Sequence, residues 1–152
     1  MIDVPYFSQW ESRALISRFL SRELRAEEDP LWRNSGASSP DEYAQWSPHI
    51  CGIACLKMLL AHRTARVVPL LELVRDAVTF GVYQPEMGDK GKRLLYRPFV
   101  NWIRERFQIE GRVVEHMESS TVERSLRADL YAIVAVCRAG RRVGTLKRSV
   151  RL

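Results

Sequence analysis

Two cysteines stand one helical turn apart in "WSPHICGIACLKMLLAHR", Trp46 to Arg63, and the first of them is followed by glycine. A cysteine attacks as its thiolate, and a helix N-terminus stabilises that anion through the unpaired backbone N–H groups of its first turn. Cys51 is placed for this chemistry: Pro48 ends the preceding loop, and Gly52 lets a substrate backbone approach closely. The plain alternative is that Cys51 and Cys55 are small core residues on one helix face, as buried free cysteines commonly are. Both readings are open at this point. A single Cys-x-x-x-Cys pair with no other Cys or His clustered around it is a poor zinc site, so no metal is expected, and no organic cofactor is implied.

A thiolate nucleophile needs a base, and the chain has 3 histidines. His62 lies eleven residues further along the same helix, about 16 Å away at ~1.5 Å per residue and beyond hydrogen-bond reach. His49 is two residues from Cys51 and has little freedom to form an ion pair with it. His116 falls in a separate strand candidate, with Glu115 and Glu118 near it. None of the three completes a Cys–His pair.

The elements that must position Cys51 read as follows. "DVPYF" is extended, because Pro5 keeps the residue before it out of the helical region. Ser8-x-x-Glu11 is a capping-box pattern, and Leu15, Ile16, Phe19, Leu20 and Leu24 recur at helical spacing, which predicts a helix over Gln9–Arg25. The stretch from Ala26 to His49 is rich in Pro and Ser and reads as loop, except that Ser39-Pro40 can cap one short helix. Cys51–Arg63 and Pro69–Phe80 read as helices, the second stopping near Gly81. The glycine-rich loop Gly81–Arg93 is a candidate border of a cleft. Pro98 opens a further helix whose Phe99, Val100, Trp102, Ile103 and Phe107 are core positions and not a cofactor box. "GRVVEHM" is a strand candidate, Ser120-x-x-Glu123 caps a helix to about Leu130, and "YAIVAVC" is the clearest strand, expected to be central.

A chain of 152 residues fits one domain. Its 46% apolar and 28% charged content is that of a soluble globular protein. No basic-then-apolar leader opens the chain, and no apolar run approaches the ~20 residues of a membrane span, so neither a signal peptide nor a membrane partner is expected. An odd number of cysteines without framework spacing points to a reducing, cytoplasmic setting. The net charge of +6 resides in Arg138, Arg141, Arg142, Lys147, Arg148 and Arg151. Without these six, basic and acidic residues balance over Met1–Cys137. The expected division is therefore a domain over 1–137 and a basic, disordered tail over 138–152.

"CGIACLKMLLAHR" resembles the nucleophile helix of the C39 and C39-like cysteine peptidases, a papain-like group. "DVPYFSQW" is similar to that family's opening segment, whose glutamine supplies an oxyanion-hole donor, and Gln9 lies forty-two residues before Cys51 in the matching order. The long form "VPYFSQ" resembles the C39-like branch more than the peptidase domain of bacteriocin exporters. The likeness covers roughly 1–136, and it implies an α+β papain-like fold with a helix-rich N-terminal half and an incomplete C-terminal antiparallel sheet. It also implies acyl transfer on a peptide or protein substrate: Cys51 attacks the carbonyl, while the Gln9 side chain and the Cys51 backbone N–H hold the oxyanion.

The family's histidine follows a strand like "YAIVAV", usually as Gly-His, with an Asp further on. This chain has no histidine after His116. The expectation is thus a peptidase domain with impaired or no turnover, shortened or frame-shifted after Cys137. A non-catalytic peptide-binding domain is the alternative. Nucleic-acid binding through the six tail cations is a third class, but it lacks aromatic interleaving and any recognised motif.

Overall fold

The computed structural model describes residues 4–118, 120, 123, 132–135 and 145–151, and helices make up most of them. The chain divides into two compact units, Met1–Leu94 and Leu95–Leu152. That boundary is not the charge break after Cys137.

In the first unit, residues 4–8 are extended, as Pro5 requires. The long helix expected over Gln9–Arg25 is not formed. A 3-10 turn, Arg13–Leu15, leads into a single short helix, α1 (Ile16–Leu20), and Arg22, two residues past its end, lies in the left-handed region with φ 62°. The capping box does not form because its acid is used elsewhere: Glu11 pairs with Lys57, and Ser8 Oγ accepts from the Trp10 N–H at 3.2 Å. Trp10 stacks on Phe19, ring centroids 5.7 Å apart, and Phe19 is buried.

Ser39 and Pro40 act as expected. Pro40 is the first residue of α2 (Pro40–Trp46), and Ser39 Oγ accepts from the Glu42 N–H at 3.1 Å. The next helix, α3 (Cys51–Thr64), buries Ile53, Ala54, Leu56, Lys57, Leu59, Leu60 and Ala61. The less buried positions Cys51, Cys55, Met58 and His62 fall on one stripe of α3, and the rest of its circumference is core. α4 (Leu70–Thr79) packs on α3 through a one-sided stripe of Leu70, Leu71, Leu73, Val74 and Ala77. Its Arg75 Nη2 donates to the Gly36 carbonyl at 2.9 Å and to Glu42 Oε1 at 2.9 Å, tying α4 to α2.

One buried carboxylate holds the N-terminal segment to α2. Asp29, 1% exposed, accepts from the Tyr43 hydroxyl at 2.6 Å, the Ser12 N–H at 3.2 Å, the Leu31 N–H at 3.0 Å and the Ser12 hydroxyl. Burial alone would raise its pKa. The donated hydrogen bonds more than offset this and hold the carboxyl below its ordinary value. Burial and then the bond to Asp29 push the Tyr43 phenol up, so Tyr43 stays a donor.

In the second unit, α5 (Tyr96–Phe107) starts two residues before Pro98 and buries Phe99, Trp102 and Ile103. Trp102 meets Phe99 and Phe107 edge-on, at centroid distances of 5.9 and 5.5 Å. Three strands follow: β1 (Arg112–Glu118), β2 (Ala132–Ala135) and β3 (Thr145–Arg151), all antiparallel in the order β1-β3-β2. Two expectations are corrected here. Thr145–Arg151 is a strand and not part of a disordered tail, and β3, not the "YAIVAVC" strand, is central. In register, Val150 pairs with Val113 of β1 and with Ile133 of β2. Of the helix expected from Ser120 to Leu130 only residues 120 and 123 are described, both helical; its other residues, and residues 138–144, lie outside the described residues.

Asp29→Asn should lower unfolding free energy near neutral pH by roughly 2–4 kcal/mol, because a charged acceptor of several buried hydrogen bonds is lost. The sign with pH follows from the depressed folded pKa. This stabilisation is complete above the ordinary Asp value of about 3.9 and disappears as pH falls through the lower folded value. Urea unfolding of both proteins should therefore show a gap that closes on acidification. A gap that stays constant with pH would contradict the charged network.

Candidate functional site

Cys51 is the first residue of α3 and is exposed. The 3-10 turn Ser47–His49, which contains Pro48, and the non-helical Ile50 (φ −105°, ψ 28°) deliver the chain to this point. The helix proper begins with the Ala54 N–H bonding the Ile50 carbonyl at 3.0 Å, which leaves the N–H groups of the first turn free of intrahelical partners beside the thiol. Cys55 is the contrasting sulfur. It sits one turn further on, half-buried, its thiol pushed up to about 11 first by burial and then by the charge of Cys51. Of these two thiols, Cys51 is the more accessible.

The Gly81–Arg93 segment is drawn toward this helix start. It carries a 3-10 stretch, Pro85–Lys92, closed by the Gln84 N–H on the Gly91 carbonyl at 2.8 Å; a Cβ at Gly91 would overlap the Gln84 carbonyl. Leu94, just beyond, covers Gly52 so closely that a Cβ there would lie 2.6 Å from Leu94 Cδ1. A side chain at position 52 would have to displace the tip of Leu94. Lys92 is buried with its Nζ 3.1 Å from Asp89. His49 is half-buried, and its pKa is lowered first by burial and then by the charge of Lys92, with Asp89 opposing. Its imidazole is thereby held toward the neutral form. Among the described residues, no hydrogen bond joins His49 to Cys51. His62 is in the last turn of α3, and His116 is on β1 of the second unit.

Gln9 is half-buried on the bend that follows the extended segment. Among the described residues, no hydrogen bond joins it to Cys51, although both belong to the first unit. What the structure does bring together is the flanks of Gln9 and the helix of Cys51. Lys57, 4% exposed, places its Nζ 3.6 Å from Glu11 Oε1 and 4.7 Å from the centre of the Phe7 ring. The Glu11 N–H donates to the Tyr43 hydroxyl at 2.8 Å, which joins this pair to the Asp29 network. Burial raises the Glu11 pKa, and Lys57 acts against that rise.

Sequence reasoning did not single out Lys57, Asp29 or Tyr43, and it assigned Glu11 to a cap. A usable signal was present for Lys57: a lysine inside an otherwise apolar helix stretch must find an anion if it is buried. Among the described residues, no group of three or more His, Cys, Asp or Glu side chains gathers as a metal site would, and no helix is long and apolar enough to cross a membrane.

No protein-family model matches the chain, and no curated protein and no solved structure matches it.

Brief alkylation with iodoacetamide near neutral pH, followed by peptide mapping, should label Cys51 well before Cys55. A thiol held at about 11 has less than about one part in a thousand thiolate under those conditions. Equal labelling of the two would show that α3 does not bury Cys55 as described.

Proposed function

We propose that the chain is a C39-like cysteine peptidase domain of papain-like α+β fold, in which Cys51 is an acyl-accepting nucleophile. The observation that carries this reading is the exposed thiol at the first residue of a 14-residue helix whose body is buried. The Cys51 thiolate attacks a peptide carbonyl carbon, the C–S bond forms, and the carbonyl π pair moves onto oxygen. The Gln9 side-chain N–H and the Cys51 backbone N–H donate to that oxygen. Collapse of the intermediate then requires a proton on the leaving amine, which a histidine supplies in such enzymes. Here His49 has no hydrogen bond to Cys51, and no histidine follows His116. Acyl transfer from an activated donor is therefore expected to proceed, and cleavage of ordinary peptides to be slow.

Among the described residues no base is bonded to Cys51, and this favours a second reading, a domain that holds peptides without cutting them. The two are separated with p-nitrophenyl acetate, whose leaving group needs no proton. The wild-type chain should release one equivalent of nitrophenolate in a burst that Cys51→Ser abolishes. Gln9→Ala should slow the burst about tenfold to a hundredfold, the scale of one oxyanion donor. A burst unaffected by Gln9→Ala would remove the peptidase reading and leave peptide binding as the better one.

A further inference from the structure

The cluster around Lys57 has a geometry that burial of a stray charge does not require. Its two partners, Phe7 and Glu11, are the residues two before and two after Gln9. Lys57 itself is six residues beyond Cys51 on α3, about 9 Å along the axis, and long helical side chains lean back toward the helix N-terminus. The ammonium thus reaches back from the nucleophile's helix and grips the segment of the oxyanion donor on both sides of the donor. Glu11 Oε1 is buried without a hydrogen bond and has the Lys57 charge as its counterpart. The Glu11 main chain is fixed independently through Tyr43. An amide left to swing on a free segment would make a poor oxyanion donor, because such donors act by being in place beforehand.

We infer that Lys57 is a positioning residue: by holding Phe7 and Glu11 it sets where the Gln9 amide stands relative to Cys51. This role rests on the acyl-transfer reading above.

The test compares two reactions of the same thiol. Acylation by p-nitrophenyl acetate passes through an oxyanion; alkylation by iodoacetamide does not. Lys57→Met keeps the aliphatic stem and removes the charge. It should slow acylation about as much as Gln9→Ala does and leave alkylation of Cys51 unchanged, and Gln9→Ala added to Lys57→Met should slow acylation no further. Lys57→Arg, which keeps the cation over Phe7 and beside Glu11, should recover most of the wild-type rate. Acylation at the wild-type rate in Lys57→Met overturns the role, and so does a parallel fall of acylation and alkylation, which marks mere structural damage. If Lys57→Met makes Cys55 reactive, the fold has opened, and Glu11→Gln takes its place: it should slow acylation selectively, and a wild-type rate overturns the role. An unchanged rate in Gln9→Ala alone overturns the oxyanion reading and this role with it, whereas a slow Gln9→Ala beside a fast Lys57→Met overturns the role of Lys57 only.

Discussion

A lysine buried on the core side of its helix leaves the chain little choice. Lys57 is surrounded on α3 by Ile53, Ala54, Leu56, Leu60 and Ala61, all buried, so its charge must be met by something other than water. Glu11 meets it from forty-six residues earlier in the chain, and Phe7 lies against it. This pairing draws the N-terminal segment onto α3. The segment gives up the helix its own spacing favours, and Gln9 ends on a bend between two anchored neighbours. A buried ion pair is not a strong source of net stability, since desolvation takes back much of the attraction. Its consequence here is register: which residues of the leading segment lie against which turn of α3.

The Asp29 network completes that constraint from the other side. The Tyr43 hydroxyl accepts from the Glu11 N–H and donates to Asp29, so α2, the loop before it and the leading segment share one chain of hydrogen bonds. Chains of this kind are strong when every member is satisfied and costly when one is removed. The start of α3 is fixed by different means, namely Pro48 in the preceding turn and Leu94 packed on Gly52. Cys51 and the Gln9 segment are therefore held by separate sets of contacts whose common element is α3.

Much of the helical architecture was legible in the sequence because its determinants are local. Ser39 and Pro40 cap α2 through neighbours within four residues, and the apolar runs of α3 and α4 read correctly to within a residue or two at each end. The failures at Glu11 and Asp29 share one physical origin, partners distant in sequence. Glu11 was assigned to Ser8 three residues away, while its real partner is Lys57, a pairing no local spacing reveals. Asp29 sat in a Pro-rich stretch and carried no periodic signal, yet it is 1% exposed and organises the first unit. Strand β3 was hidden by its cations, because counting charge says nothing about period two. At the site, Cys51 is exposed and Cys55 half-buried, a difference that their spacing does not reveal. The position of the Gln9 segment depends on a long-range ion pair that no local spacing reveals.

The most direct measurement is a crystal structure of the chain with a short peptide aldehyde added. The aldehyde carbon should be found bonded to Cys51 Sγ as a hemithioacetal, with its oxygen about 2.7–3.1 Å from the Gln9 side-chain nitrogen and from the Cys51 backbone nitrogen. A hemithioacetal oxygen turned to solvent with Gln9 remote from it, or an aldehyde that leaves Cys51 unmodified, would contradict the assignment of these two residues to acyl transfer.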